Sequence, residues 1–169
     1  MTASTKDART YDPQNPDHNP LLRDWAVYTD GSGHKDGYGG CAAVGWNKGV
    51  TQTFQLMQGR NETSTARMEM EALLMSLQWI AEHRELNERP CVWWLSDRQD
   101  LVMSVAKINE RRKNPDLWYR LSYYESMFDI HPYHAPRATT QGNVLVDRLA
   151  GAGRKLIKNY LEDRYGKMV

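Results

Sequence analysis

The chain has 169 residues, 40% of them hydrophobic and 25% charged, enough to bury one sizeable core. A formal net charge of +1 excludes a protein that holds nucleic acid by bulk basicity, so any such binding must rest on local cations or on a metal ion. No apolar run approaches the ~20 residues that span a bilayer, and the first twenty residues lack the apolar stretch of a secretory leader. No membrane association and a cytoplasmic residence are therefore expected. Cys41 and Cys91 are the only cysteines. They lack Cys-x-x-Cys spacing and sit in apolar runs, which reads as buried free thiols.

Residues 1–22 are polar and interrupted by Pro13, Pro16 and Pro20, and read as a tail with little structure of its own, open to a docking role. Residues 23–169 read as one domain. Asp24–Asp30 forms a first strand, ended by Gly31-Ser32-Gly33. Gly39–Trp46 forms a second, and the alternation of Thr51–Met57 a third, all joined by short turns as an antiparallel meander. Thr65–His83 is a helix, with Met70, Leu73, Leu74, Leu77, Ile80 and Ala81 on one face and Ser64 or Thr65 as its cap. Pro90–Ser96 is a buried strand rich in Val and Trp. Arg98–Glu110 reads as a helix, and Pro115 opens another that runs to about Met127. Asp129–His134 is a short fifth strand in which Pro132 removes a ladder donor. Asn143–Tyr165 is a long last helix, with Gly151 and Gly153 as weak points or points of close packing. The order predicts an α/β layer architecture with a mixed sheet.

Four acids stand at strand ends and helix starts, where open α/β sheets place ligand sites. Asp30 ends the first strand and Asp97 the fourth. Glu69 lies in the first turns of the first helix and Asp147 in those of the last. Singly, each reads as a turn, cap or helix-dipole residue. Together they would repel unless cations lay between them, and an all-oxygen set suits Mg²⁺ or Mn²⁺ rather than Zn²⁺. At ~100° per residue, Glu69 and Glu71 point to nearly opposite sides of their helix. Glu69 borders the apolar stripe and looks toward the sheet, whereas Glu71 shares the other side with Gln78.

The segments Tyr28-Thr-Asp-Gly-Ser32, Gly37-Tyr-Gly39, Ala66-Arg-Met-Glu-Met70, Leu95-Ser-Asp97, Asn114-Pro-Asp-Leu-Trp118, His134-Ala135 and Asn143-Val-Leu-Val-Asp-Arg-Leu-Ala150 closely resemble ribonuclease H of type 1, in family order, from about Trp25 to Lys155. The resemblance implies a five-stranded mixed sheet, three antiparallel strands then two parallel, with helices on both faces. It implies a monomeric endonuclease that cuts the RNA strand of RNA·DNA hybrids and leaves 5′-phosphate and 3′-hydroxyl ends. Asp30, Glu69, Asp97 and Asp147 become ligands of two Mg²⁺ ions, with Mn²⁺ as a substitute: one ion activates water and the other steadies the leaving 3′ oxygen. Glu69 would also face the substrate 2′-hydroxyl. Gly31, Ser32, Ser64, Thr65, Arg67 and Gln99 become substrate contacts. His134 matches a mobile histidine that assists proton transfer or product release, and His131 competes for that role. A zinc pair of His131 and His134 lacks further soft ligands.

The chain departs from the family in four places, one of them a loop from Ala135 to Gly142 that is longer than usual and includes Arg137. The loop Gly33–Asp36 is short and has no asparagine. Thr65 and Ala66 stand where two polar residues are usual. The basic protrusion between Asp97 and Trp118 is reduced to Arg111-Arg112-Lys113. Weak, salt-sensitive affinity for the hybrid follows, with Arg67, Arg98, Lys107, Arg111, Arg112, Lys113, Arg137 and Arg148 as the local cations. The rivals are a DNA-cutting nuclease of the same fold and a non-enzymatic module descended from such a nuclease; the retention of all four acids weighs against the second.

Overall fold

A computed structural model describes residues 9–84, 89–137 and 140–166. Strands β1 (Trp25–Gly33), β2 (Gly39–Asn47) and β3 (Thr53–Arg60) form the meander. Helix α1 (Thr65–His83) leads to β4 (Cys91–Ser96), the short α2 (Gln99–Val105), α3 (Pro115–Glu125), β5 (Asp129–His134) and α4 (Gln141–Tyr165). The sheet order is β3-β2-β1-β4-β5, antiparallel among the first three strands and parallel from β1 through β4 to β5.

Side chains alternate along the central strands, and each face is covered. Val27 and Trp94 pack with Leu73, Leu77 and Leu117 on the face covered by α1 and α3. Tyr28, Trp93 and Leu95 pack with Val146 of α4 on the other. Trp94 is fully buried and its indole N–H donates to Thr29 Oγ1 at 2.7 Å, so the aromatic-rich β4 is core rather than a stacking surface. Gly153 is a point of close packing: a Cβ there would meet the Gln58 carbonyl at 2.9 Å, where α4 crosses the sheet. Gly151 faces open space.

Several boundaries differ from the sequence reading. The third strand begins later and runs on to Arg60, because the Asn47 side chain holds Thr51 and Gln52 in the preceding turn. Helix α2 stops at Val105 rather than Glu110. Lys107 adopts φ 61°, and the amides of Lys107 and Ile108 fold back to the carbonyls of Ser104 and Met103, a Schellman closure without glycine. Arg111 bonds the carbonyls of Ser104 and Val105, which completes the cap from outside the helix. Helix α4 starts two residues early, capped by Thr140, whose Oγ1 accepts the Asn143 N–H and donates to Asn143 Oδ1.

The largest correction concerns the leading segment. From Arg9 onward it is docked rather than loose. Thr10 forms a parallel bridge with His134 on the outer edge of β5, and Tyr11 is buried. Asn15 and Asn19 each cap a single 3₁₀ turn opened by Pro16 and Pro20. Arg23 lies over the Trp93 ring at 4.1 Å. Two of the three prolines read as signs of an open tail, Pro16 and Pro20, are in context the starts of these turns.

Candidate active site

Parallel pairing of β1 with β4 ends at Thr29 and Ser96, which sets Asp30 and Asp97 side by side just beyond it; Asp30 does not end its strand, since β1 runs on through Gly31-Ser32-Gly33 against β2. Glu69 comes from the second turn of α1, against β1. That approach depends on Gly31, where a Cβ would lie 2.3 Å from the Glu69 amide nitrogen. One oxygen each from Asp30, Glu69 and Asp97 lie within 4.8 Å of one another. Asp147, exposed near the start of α4, lies close enough to Asp30 to act on its titration, and pairs with Arg137. All four acids singled out in the sequence are thus brought to one end of the sheet. A cleft of about 790 Å³ at Trp25, Asn47 and His83 includes none of them in its lining.

The electrostatics are those of buried, mutually repelling carboxylates. Burial, reinforced by Asp97 and Asp147, pushes Asp30 up to about 7. Burial, with Asp30 and Asp97 adding to it, raises Glu69 well above the ordinary range. Asp97 is raised by burial, with Arg137 and His134 acting against the shift. Glu69 Oε2 is buried without a hydrogen-bond partner, which a structure retains only where something else satisfies that atom. An all-oxygen donor set with one orphaned buried oxygen fits a hard divalent cation. Asp97 does not cap α2: the capping position belongs to Arg98, without a side-chain bond, so this carboxylate is not spent on the helix.

His134 ends β5 beside Ser96, and its Nε2 lies 3.2 Å from the Asp97 carbonyl oxygen. His131 is turned elsewhere, with Nε2 2.9 Å from Asp129 Oδ2, so the two histidines do not form a pair. Arg137 was read only as a possible phosphate contact. It donates to Asp147 Oδ1 at 3.0 Å and also bears on Asp97 and Asp30. It therefore supplies the cluster with positive charge, a role that no local pattern around Arg137 could reveal.

The predicted substrate contacts fall into two groups. Gly31, Ser32, Ser64 and Thr65 lie where the end of β1 meets the start of α1, and Ser64 caps α1 by accepting the Arg67 N–H. Gln99 is exposed at the first position of α2. Arg67 is already engaged: it pairs with both oxygens of Asp116 and donates to Asn114. Most of the other candidate cations are also paired: Arg98 with Asp100, Lys107 and Arg111 with Glu125, and Arg112 with Glu110. Arg111 is structural, since it also closes α2 and lies over Trp118. Arg98, Arg112 and Lys113 line a groove of about 260 Å³ together with Trp118 and with Ala66, which stands one turn ahead of Glu69.

Glu71 points away from Glu69, but it is buried rather than on a solvated side. It bonds Arg120 at 3.2 Å and lies 3.9 Å from Arg60. Replacing Glu71 by Gln is expected to leave cleavage within about twofold and to lower stability by about 1 kcal/mol, since both arginines are half-exposed and Gln still accepts a hydrogen bond. Parallel melting and cleavage measurements check this; a loss of activity equal to that of Glu69→Gln would refute the separation of the two faces.

The RNase H family model matches residues 23–155. The chain belongs to the ribonuclease H family. It is thus a nuclease of the RNase HI type, a class that works with divalent metal ions, and the carboxylate cluster is where this ribonuclease H can hold them. No curated protein matches the chain. Among solved structures it is similar to the N-terminal RNase H domain of rv2228c from Mycobacterium tuberculosis, at 19% identity and TM-score 0.70, covering 82% of this chain and 98% of that one. LC11-RNase H1, solved in complex with an RNA/DNA hybrid, matches at 16% identity and TM-score 0.67 over 79% and 98%. RNase H1 from the archaeon Halobacterium salinarum matches at 19% and 0.60 over 76% and 96%. At such identities these likenesses speak for the fold, which is the ribonuclease H fold.

Proposed function

We propose that this ribonuclease H hydrolyses the RNA strand of RNA·DNA hybrids, using two divalent ions held by Asp30, Glu69, Asp97 and Asp147, with Mg²⁺ as the natural ion and Mn²⁺ as a substitute. The convergence of Asp30, Glu69 and Asp97 around a buried, partnerless Glu69 oxygen is the observation that carries the reading. The hybrid complex of LC11-RNase H1 supports the choice of substrate. Bound ions supply an activated water and stabilise the leaving 3′ oxygen, which gives 5′-phosphate and 3′-hydroxyl products.

The side chains divide the remaining work. Asp30 and Asp97 sit on adjacent parallel strands, so their separation is set by the backbone ladder and costs little to organise. Glu69 accepts the 2′-hydroxyl of the cut nucleotide, the group that separates RNA from DNA. His134 Nε2, at the mouth of the site beside Asp97, exchanges a proton with the departing product. Asp147 would hold a cation in place of Arg137, its present partner, and Arg137 would then be available to a phosphate. Surface ion pairs are weak, so Arg98 and Arg112 can also be drawn off by a polyanion, at an affinity that falls steeply with salt.

The test is incubation with an end-labelled hybrid at low salt with Mg²⁺, Mn²⁺ or EDTA, beside single-stranded RNA, duplex RNA and duplex DNA. Metal-dependent cutting of the hybrid's RNA strand alone is expected. Cutting of duplex DNA instead would move the protein to a DNA nuclease, and a folded protein that cuts nothing would refute the assignment.

A further inference from the structure

The docked leading segment lies outside the family match, which starts at residue 23, and it contacts the catalytic end of the sheet at two points. The first is through the backbone: the Tyr11 N–H donates to the His134 carbonyl at 2.7 Å, beside the Thr10–His134 bridge, and Arg9 reaches the Pro132 carbonyl. The second is through side chains: the Tyr11 hydroxyl adjoins that of Tyr28, which in turn adjoins Thr140, and the Tyr11 ring packs in one cluster with Val146 of α4. Thr140 caps α4, the helix that carries Asp147. His134 and Thr140 are the two ends of the connection from β5 to α4, and Arg137 stands between them against the carboxylates.

One residue therefore holds the His134 end by its backbone and packs its ring against α4 at the other. The Tyr11 ring is itself fixed: it is buried among Trp93, Leu95, Ala135 and Val146 and stacked on His18, which meets Trp93 and Tyr133 edge-on. A segment needed only to cover the edge of β5 could do so with backbone and any apolar side chain. A tyrosine whose ring packs against Val146 of α4 and whose hydroxyl adjoins Tyr28 does more than that task requires.

We propose that Tyr11 is a positioning residue: it sets the relation between His134 and the start of α4, and through them places His134 and Arg137 over the carboxylates. The inference rests on the nuclease reading above, and its test separates the two. Tyr11→Phe keeps the ring and removes the hydroxyl beside Tyr28; Tyr11→Ala removes both. With the full chain and a labelled hybrid, Tyr11→Phe should lower kcat a few-fold and Tyr11→Ala about tenfold, with KM for the hybrid unchanged. In a His134→Ala background the effect of Tyr11→Ala should shrink to less than half, because the residue it positions is gone. A merely structural role would instead give equal losses in both backgrounds. The imidazole resonances of His134, followed by NMR in the metal-free protein, should shift in Tyr11→Ala and give a readout that needs no activity. If the wild type cuts the hybrid while both variants match its kcat, the positioning role is overturned and the nuclease reading stands. If the wild type cuts nothing, the nuclease reading fails and the NMR readout decides: His134 resonances unchanged in Tyr11→Ala overturn the inference.

Discussion

Asp97→Asn is expected to lower cleavage by at least on the order of a hundred- to a thousandfold while the protein stays folded. The carboxylate ends β4 on a rigid ladder, forms no cap, and shares a cation-sized space with Asp30 and Glu69. Its packing demands are few, so the amide fits. What is lost is a charged oxygen where two other buried acids already await a cation. In EDTA the substitution should raise the melting temperature, because Asp97 is one of the charges that push Asp30 and Glu69 upward. Steady-state cleavage over a metal titration, paired with thermal melts in EDTA, tests both halves. Undiminished metal-dependent cutting by a folded Asp97→Asn protein would remove Asp97 from the ligand set.

The metal-free protein should lose stability as pH rises between about 4 and about 7, opposite to the usual course of acid denaturation. The sign follows from Asp30, whose folded-state value is raised from the ordinary 3.8 to about 7. Below the unfolded value the group is protonated in both states, and its contribution is fully present. Between the two values the unfolded chain ionises and the folded chain does not, so stability falls, and the loss is complete once pH passes the folded value. Glu69 shifts in the same direction and extends the effect upward. Carboxylates lowered by arginine act in a different window. Burial would raise Glu125, but Arg111 brings it below its ordinary value, so its contribution is lost only on acidification. Melts in EDTA across this range should slope downward by an amount on the order of a few kcal/mol. Saturating Mg²⁺ should cancel much of the slope, because metal binding requires the deprotonated acids. Asp30→Asn should flatten it. A metal-free protein whose stability is level or rising over that range would contradict the clustering of the acids.

The sequence by itself carried the fold class, the strand and helix order and the four acids, for identifiable reasons. Period-two and period-3.6 burial patterns are local, as are the turns that interrupt them, so β1 to β3 and α1 could be read from neighbouring residues. Asp30 and Asp97 stood out because each follows an apolar strand, and helix geometry alone separated Glu69 from Glu71. What only the tertiary structure decided depends on partners distant in sequence. Glu71 is buried because α3 brings Arg120 to it, and α2 ends early because Arg111 and a left-handed Lys107 close it. Arg137 becomes the counter-charge of Asp147 only once β5 and α4 are placed. The proline-broken leader gives no periodic signal, yet it docks, because its contacts are a backbone bridge to an edge strand and one buried tyrosine. An edge strand accepts backbone from any sequence, so the pairing leaves no side-chain pattern to read.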